Sequence, residues 1–423
     1  MTTPNPTAPR NTTPAIQHPV AIALALSLGA AIALGISRFS YGLLLPPMRD
    51  DLNWTYFVAG AMNTANAVGY FVGALATPLL MRKLGAWRLL MAGAVLAGIF
   101  MLVSGVVTAT STLMLQRVLA GAASSFVFIA GGVLAARLGS LFNQRAGFLI
   151  GLYYGGTGIG IALSALLVPA ALGAAQSHGA AHTWQWPWWM LGIACFIAAA
   201  IMALPARRIG EPAQAQGKQQ AFALRDFGYG LGGYFMFGAG YIGYMTFVVA
   251  LLKQQGMSAS QITWFYALLG VAVLASSRIW ARMLDYFKGG QSLAILNLLL
   301  AVVTILPALT QSVPVVFLSG MVFGAVFLSV VASTTALVRH NLPQAQWSAG
   351  ISAFTTVFAL GQIVGPSLVG WVADGPGGLE RGLVVSAIAL MIGAALAIRQ
   401  RPLAVHASGK APSYNHESHS GTR

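Results

Sequence analysis

Apolar runs long enough to cross a lipid bilayer recur about twelve times along this 423-residue sequence. A transmembrane helix needs about 20 consecutive apolar residues. Only 7% of the residues are charged, whereas a soluble protein carries about a quarter. So few charged side chains cannot cover a water-exposed surface, and the sequence therefore predicts an all-α polytopic membrane protein. The predicted spans are residues 20–46, 57–81, 88–109, 112–137, 146–172, 187–205, 227–252, 261–281, 291–310, 314–338, 347–373 and 382–399.

One polar segment divides the spans into two groups of six. This segment, residues 206–226, predicts a cytoplasmic linker between an N-terminal bundle, residues 20–205, and a C-terminal bundle, residues 227–400. The Pro- and Thr-rich start, residues 1–19, and the polar tail, residues 401–423, are predicted to be disordered and cytoplasmic.

The basic residues are distributed unevenly between the two ends of the predicted spans. With the N-terminus in the cytoplasm, 18 lysines and arginines fall on the cytoplasmic side and three on the other. Cytoplasmic loops of membrane proteins carry such an excess, so the sequence predicts a multi-pass inner-membrane protein with both termini inside. This bias also explains the net charge of +15, and the dispersed basic residues argue against a nucleic-acid-binding protein. The run WQWPWW, residues 184–189, predicts an aromatic anchor at the membrane surface.

An internal repeat relates the two halves of the sequence. A shift of 203 positions aligns the first span with the seventh and runs without a gap to the eleventh. The aligned pairs include Gly35 with Gly238, Tyr41 with Tyr244, and Gly158 with Gly361. Two parallel six-helix halves are typical of rocking transporters, whose site lies between the halves near the bilayer midplane. The sequence therefore predicts two pseudo-symmetric six-helix bundles.

Three motifs carry a resemblance to the major facilitator superfamily. RVLAGAA, residues 117–123, resembles its arginine–glycine signature, and GISRFSYGLLLPPM, residues 35–48, is similar to the first helix of the YbfB/YjiJ-like branch. The segment 73–88 matches the loop where the superfamily has an aspartate, but Arg82 stands in that place. Asp285 occupies the corresponding position in the second half. The resemblance implies a transporter working by alternating access, with Asp285 and the altered Arg82 as gating residues.

Arg38 and Arg117 lie inside apolar spans. Arg38 precedes Pro46 by eight residues, which places it roughly 12 Å below the outer end of the first helix, and Arg117 lies about 9 Å deep in the fourth. An arginine near the bilayer centre costs at least ~2.5 kcal/mol unless water or an anion attends it. We therefore expect both guanidinium groups to face one aqueous cavity. The alternative, hydrogen bonding to backbone carbonyls between helices, stays open above all for Arg117.

No acidic residue lies near the middle of a predicted span. All eight aspartates and glutamates fall at span ends, in loops or in the tail. The expected cavity is then positive without a fixed counter-ion, and the simplest counter-ion is the substrate. The planar fork of arginine donors suits a carboxylate or a sulfonate. The sequence therefore predicts transport of a small organic anion.

Other polar and aromatic side chains recur at helical spacing. Asn63, Asn66 and Tyr70 share one face of the second span at positions i, i+3 and i+7. The predicted substrate contacts are Arg38, Tyr41, Asn63, Asn66, Tyr70, Arg117, Tyr153, Tyr241 and Tyr244. For each of these residues ordinary interhelical packing is the alternative.

Catalytic and metal-binding patterns are missing from the predicted spans. The seven histidines lie in loops, tails or span ends, and there is one cysteine. The sequence thus predicts no enzyme, metal or cofactor, and a monomer whose partners are the lipid bilayer and a small molecule. Two other functions stay open: an efflux carrier for drugs or other amphipathic metabolites, and a membrane sensor that does not transport. The lack of a buried carboxylate argues against an exporter of cationic drugs.

Overall fold

The structure, a computed structural model, describes residues 18–142, 145–210 and 223–403. Within these ranges twelve helices are long and apolar enough to cross a membrane. They are α1 Pro19–Leu52, α2 Tyr56–Leu84, α3 Ala86–Ser104, α4 Thr110–Leu141, α5 Ala146–Ser177, α6 Gln185–Arg207, α7 Gly228–Gln254, α8 Ala259–Ile279, α9 Gln291–Leu309, α10 Val313–Asn341, α11 Trp347–Ala373 and α12 Gly378–Ala397. The predicted segments 1–19, 206–226 and 401–423 lie largely outside the described residues.

The first helix changes its hydrogen-bond register halfway along its length. Pro19–Ala30 and Tyr41–Leu52 are α-helical, and Ala31–Phe39 between them is π-helical. In a π-helix each amide bonds to the carbonyl five residues earlier, and such turns are often found at functional sites. Arg38 therefore lies in a widened turn in the middle of α1.

The end of α1 differs from the prediction. Pro46 and Pro47 predicted a stop, because proline removes one amide donor and crowds the preceding turn. In the structure both prolines lie inside the helix, whose surrounding residues are buried, and the helix continues to Leu52. It stops where Asn53 adopts a left-handed conformation with φ of 53°. Arg38 is consequently about 21 Å from the end of α1, deeper than the sequence predicted.

Helix packing repeats between the halves α1–α6 and α7–α12. In the first half α2 packs on α4, α3 packs on α4 and α6, and α1 packs on α5 and α6. In the second half α8 packs on α10, α9 packs on α10 and α12, and α7 packs on α11 and α12. Each pair of the first half thus recurs six helices later. The fold is the pair of pseudo-symmetric bundles that the 203-position repeat predicted.

The halves meet along the helix pairs α1–α7, α2–α11 and α5–α8. Glycine allows the backbones to touch at two of these crossings. A Cβ atom on Gly60 of α2 would lie 2.2 Å from the carbonyl oxygen of Pro366 in α11, and one on Gly158 of α5 would lie 2.3 Å from that of Gly270 in α8. The two halves are therefore in direct backbone contact at these crossings. Even one methyl group added at Gly60 or Gly158 would force the contacting helices apart.

Large apolar side chains cover the outer surface of the helices. Leu79, Leu166, Ile197 and Val302 are each more than half exposed, at 63%, 55%, 56% and 52%. A soluble protein rarely exposes wide apolar patches, whereas a membrane protein covers them with lipid. This surface agrees with the composition, which predicted a chain that folds in a membrane.

The predicted aromatic anchor is wrong for two of its tryptophans. Trp184 and Trp188 are 0% and 1% exposed, so they pack inside the protein rather than at a membrane surface. The indole Nε1 of Trp184 donates a hydrogen bond to the carboxylate of Asp51 at 2.5 Å. This hydrogen bond joins the start of α6 to the end of α1.

Candidate functional site

Side-chain donors from three helices hold the carbonyl groups of the π-helical segment. The donors come from α4 and α5 in the first half and from α8 in the second. The donor–acceptor pairs are Ser164 Oγ with Gly35 O at 3.4 Å, Arg117 Nη1 with Ser37 O at 2.8 Å, and Tyr266 hydroxyl with Phe39 O at 2.6 Å. Buried carbonyl groups need partners, above all within a membrane. The backbone around Arg38 is therefore fixed from both halves.

Arg38 is buried, and no hydrogen bond joins its guanidinium group to another described residue. The residue is 2% exposed, and its Nε and Nη2 atoms have no acceptor among the described residues. Its guanidinium carbon lies 5.8 Å from the ring centre of Tyr70 in α2. Phe39, the next residue, packs edge to face on Phe327 of α10, at 5.8 Å between ring centres. An unpaired buried charge is strongly unfavourable, so these donors point to an anion as their partner.

Arg117 is 3% exposed, and two of its three guanidinium nitrogens donate hydrogen bonds to protein groups. Besides the bond to Ser37, its Nη2 lies 3.4 Å from Oδ1 of Asn63. Its guanidinium carbon lies 4.9 Å from the ring centre of Tyr41 and 5.6 Å from that of Trp188, within the range of cation–π attraction. Only its Nε lacks an acceptor among the described residues. The structure thus brings Arg117 beside the π-helical segment, with its charge directed at the protein.

The two asparagines of α2 bond to neighbouring helices. Asn63 Nδ2 donates to the hydroxyl of Thr246 in α7 at 2.7 Å, which joins the two halves. Asn66 Nδ2 donates to the carbonyl oxygen of Arg117 at 3.2 Å. Oδ1 of Asn66 is buried without a partner among the described residues. Both side chains lie next to the arginines, as their spacing predicted, but their amide donors are already in use.

Three of the predicted tyrosines also use their hydroxyl groups within the protein. The pairs are Tyr41 with Ala59 O, Tyr153 with Phe128 O, and Tyr244 with the hydroxyl of Ser319, each at 2.8 Å. Such bonds are the interhelical alternative that the sequence left open. These three hydroxyl groups are therefore not free donors for a substrate.

Aromatic rings of both halves pack against the π-helical segment, Tyr70 on Arg38 and Phe327 on Phe39. In the first half Tyr70 packs against Phe128, at 6.5 Å between ring centres. In the second half α7, α10 and α11 supply near-parallel rings with centres 4.2–6.0 Å apart. This aromatic stack consists of Tyr234, Phe237, Tyr241, Tyr244, Phe323, Phe327 and Phe358. The Tyr241 hydroxyl accepts a hydrogen bond from Gln362 of α11.

The acidic residues lie away from this centre. All six that the structure describes are exposed: Asp50, Asp51, Asp226, Asp285, Asp374 and Glu380. Within the described ranges, no carboxylate is buried beside Arg38 or Arg117, and no His, Cys, Asp and Glu side chains cluster as metal ligands would. The local charge at the centre of the bundle is therefore positive.

Polar contacts join the halves at one end of the bundle, which we name the Asp374 end. The carboxylate of Asp374, just after α11, accepts hydrogen bonds from the backbone amides of Tyr56 and Phe57 at 2.7 and 2.8 Å. These amides begin α2, where the helix dipole favours a negative charge. Lys253 at the end of α7 lies 3.1 Å from Asp50 in α1. Together these contacts join the two halves at the Asp374 end.

The predicted gating residues lie at the opposite end. Arg82 is in the last turn of α2, and Asp285 is in the short helix Ala281–Tyr286 that follows α8. Both are exposed, and neither forms an ion pair with another described residue. Their gating role stays a prediction.

Sequence reasoning missed the hydrogen bonds of Asp374 to the start of α2 and that of Tyr266 to the π-helical segment. The 203-position repeat contained a signal for the second, because it aligns Tyr266 with Asn63, which also contacts the other half. Asp374 gave no comparable signal, since its partners are backbone amides. Trp188 was assigned to the membrane surface, although its ring faces Arg117.

The arrangement of two bundles around a buried arginine agrees with the family comparison. Residues 30–398 match the model of the family described as "Uncharacterised MFS-type transporter YbfB". The chain belongs to this family. The match covers most of the chain and confirms the resemblance that the motifs in α1 and α4 carried.

Solved transporters of the superfamily share the fold at low sequence identity. A bacterial homolog of the human lysosomal transporter Spinster, in an inward-facing and unoccupied conformation, is 15% identical with a TM-score of 0.68, covering 90% of this chain and 97% of that one. The human organic anion transporter TETRAN is 14% identical with a TM-score of 0.59, covering 90% and 99%. The outward-facing transporter FucP is 17% identical with a TM-score of 0.58, covering 89% and 97%.

One curated relative is similar in sequence over part of its length. A protein of Agrobacterium vitis described as a tartrate transporter is 27% identical over 191 residues. The similarity covers 39% of this chain and 39% of the relative, so the chain matches well under half of that protein.

Proposed function

We propose that this chain is a secondary transporter that moves a small organic anion, a carboxylate or a sulfonate, across the inner membrane by alternating access. The observation that carries this proposal is the guanidinium group of Arg38, which is buried between the two halves with unused donors. A carboxylate or a sulfonate suits such a fork of donors, because two of its oxygen atoms can accept one hydrogen bond each. The tartrate transporter among the relatives supports an organic anion as the substrate class.

In this proposal the two buried arginines have different roles. Arg38 binds the anion, and Tyr70 and Tyr241 form the walls beside it. Arg117 positions Arg38 by holding the carbonyl group of Ser37 in the π-helical segment. The other predicted contacts support this framework through their bonds to neighbouring helices. They are Tyr41, Asn63, Asn66, Tyr153 and Tyr244.

The proposed transport cycle uses the two halves as rocking bodies. The bonds of Asp374 to the start of α2 support a state that is closed at the Asp374 end. The basic residues that favour a cytoplasmic location, Arg82 among them, lie at the other end, so we assign the Asp374 end to the non-cytoplasmic side. Breaking the Asp374 contacts would let the bundles 20–205 and 227–400 rock about the substrate.

Counterflow in proteoliposomes tests the proposal. Purified protein is reconstituted with a panel of unlabelled organic acids inside, and entry of each labelled acid is measured for the natural chain and for Arg38→Ala. Loss of a charge-assisted contact to a buried anion costs about 2–5 kcal/mol, or roughly 30- to 4,000-fold in affinity. We expect counterflow of at least one acid, abolished by Arg38→Ala and barely recovered by Arg38→Lys, whose ammonium group lacks the two-pronged geometry.

Arg381→Ala is the matched control, because Arg381 is an exposed arginine at the Asp374 end. It should transport like the natural chain. Saturable counterflow of the same acid by well-incorporated Arg38→Ala would refute the proposed site.

A further inference from the structure

We propose that the transported anion carries one negative charge on a flat aromatic body, so that the substrate class is the aromatic monocarboxylates or monosulfonates. This inference rests on the proposed function and narrows it. Three observations support it: the number of free basic groups, the scarcity of free polar groups, and the orientation of the surrounding rings.

The free basic groups at the centre match a single negative charge. Arg38 and Arg117 are the two buried basic residues in the described part of the chain. Arg117 directs its Nη atoms to Ser37 and Asn63 and its charge to two aromatic rings. Of these two residues, only Arg38 has two guanidinium nitrogens, Nε and Nη2, without an acceptor among the described residues. A second carboxylate on the substrate would be buried beside aromatic rings without a basic partner, which is strongly unfavourable.

The polar groups around Arg38 leave few donors for a hydroxylated substrate. The hydroxyl groups of Tyr41, Tyr153 and Tyr244 and the amide donors of Asn63 and Asn66 bond to protein groups, as described above. Tartrate has two carboxylates and two hydroxyl groups, and it would give up more bonds to water than the few unpartnered atoms of the described residues here, such as Oδ1 of Asn66, can replace. This chemistry therefore favours an apolar body next to the carboxylate.

The aromatic groups around Arg38 present flat surfaces. In the first half the guanidinium group lies near the ring of Tyr70. In the second half Phe327, which belongs to the aromatic stack with Tyr241, packs edge to face on Phe39, the residue after Arg38, at 5.8 Å between ring centres. The rings of Tyr241 and Phe327 are inclined by only 9°, and those of Tyr241 and Phe358 by 18°. Aromatic pairs prefer offset-stacked or edge-to-face geometry and gain binding energy beyond the area that they bury, a gain that a saturated ring without a π-system does not make. A planar ring that enters parallel to Tyr241 would extend the stack while its carboxylate meets Arg38.

Equilibrium competition binding on the purified full chain tests this inference. Labelled benzoate is the probe, and the competitors are 4-hydroxybenzoate, cyclohexanecarboxylate, succinate and tartrate. We expect benzoate to bind, 4-hydroxybenzoate to compete, and cyclohexanecarboxylate, which has the same charge and nearly the same size, to compete about tenfold more weakly. Succinate and tartrate should compete at least a hundredfold more weakly than benzoate.

Variants separate the contributions of the charge and the ring. Arg38→Ala should abolish benzoate binding. Tyr241→Leu should lower benzoate affinity about tenfold and remove its advantage over cyclohexanecarboxylate, whereas Tyr241→Phe keeps the ring and should keep the preference. Tyr286→Leu changes a tyrosine that is 77% exposed and serves as the matched control. Melting temperature and size-exclusion profile are recorded for every variant, so that lost binding is compared only among folded proteins.

The outcomes distinguish this inference from the proposed function. Binding of labelled tartrate or succinate that depends on Arg38, with benzoate failing to bind, would overturn the aromatic class and leave the organic-anion transporter standing. Equal competition by benzoate and cyclohexanecarboxylate would also overturn it. If none of the five acids binds the folded natural chain above the level of Arg38→Ala, both the inference and the proposed anion site are wrong.

Discussion

The hydroxyl group of Tyr266 lies 2.6 Å from the carbonyl oxygen of Phe39, so α8 in the second half is bonded to the residue that follows Arg38. Phe39 is also the last residue of the π-helical segment. Any rocking of α8 away from α1 must break this bond or move the segment with it. We therefore expect this hydrogen bond to couple occupancy of the proposed site to the relative position of the halves.

Tyr266→Phe tests that link by removing the hydroxyl group and keeping the ring. An interhelical hydrogen bond within a membrane protein contributes about 0.6 kcal/mol on average. We expect a melting temperature lower by about 1–2 °C and a roughly threefold weaker apparent affinity for the transported anion in counterflow.

Tyr244→Phe is its matched control, because the Tyr244 hydroxyl bonds to Ser319 within the second half. It should lose similar stability and keep its affinity. An equal loss of affinity in both variants would mean that the bond between α8 and α1 has no special role.

Leucine at the two buried arginines should have opposite effects on stability. Arg38→Leu removes a buried charge whose donors are unused, so we expect an unchanged or higher melting temperature together with lost transport. Arg117→Leu leaves the carbonyl group of Ser37 without its donor, at a cost of about 1–3 kcal/mol, and should lower the melting temperature by several degrees. Thermal unfolding of both ligand-free proteins in detergent measures the difference.

The same measurement identifies a structural role for Arg38 if there is one. A melting temperature that falls as far in Arg38→Leu as in Arg117→Leu would assign both arginines to helix packing.

Asp374→Ala should open the Asp374 end. It removes the acceptor of two backbone amides at the start of α2, and a change of about 1–3 kcal/mol between two states shifts their populations roughly 5- to 150-fold. Met245 is buried in α7, at the contact with Gly42 of α1. In a Cys195→Ala background, a cysteine placed by Met245→Cys should react faster with a membrane-impermeant maleimide when Asp374→Ala is added.

Glu380→Ala is the control for this labelling, because Glu380 is an exposed acid at the start of the neighbouring α12. It should leave the labelling rate unchanged. Identical rates with and without Asp374→Ala would show that this carboxylate does not hold the end closed.

Gly60→Ala should disfavour the same closed state by steric means. Its Cβ atom would lie 2.2 Å from the carbonyl oxygen of Pro366, far inside van der Waals contact, so α2 and α11 must move apart. We expect faster maleimide labelling at the Met245→Cys position and a transport rate reduced at least tenfold.

Gly173→Ala is the control, because a Cβ atom on Gly173 of α5 meets nothing within 4 Å. It should behave like the natural chain in both assays. Unchanged labelling in Gly60→Ala would indicate that the two helices can adjust without opening.

The helices were predictable because each apolar run is long enough to satisfy its own backbone within a bilayer. The repeat then gave the two-bundle arrangement, since positions 203 residues apart take equivalent places in the two halves. The π-helical segment was not predictable. Its carbonyl groups accept hydrogen bonds from Arg117 and Tyr266, which lie in other helices. The sequence of the segment itself does not indicate those distant partners.

Which residues lie at the candidate site was easier to predict from the sequence than what each of them contacts. Similar depth in the membrane predicted that the guanidinium groups of Arg38 and Arg117 face one aqueous cavity. In the structure both are buried, Arg38 lies deeper than predicted, and Arg117 donates to the carbonyl group of Ser37 beside it. Which arginine keeps free donors could not be read from depth or spacing. It depends on which carbonyl groups and aromatic rings face each guanidinium group once the helices pack. Trp188 is one such ring, 5.6 Å from the guanidinium carbon of Arg117.

The π-helical segment also gives α1 a torsional property. An α-helix turns by about 100° per residue, and the wider π register turns less for each residue. If Ala31–Phe39 changed from one register to the other, Tyr41–Leu52 would rotate about the helix axis relative to Pro19–Ala30, while both stayed helical. Arg38 would turn with the segment. Such a change of register would thus move the charged group from one bundle toward the other by rotation about the axis of α1, without bending the helix.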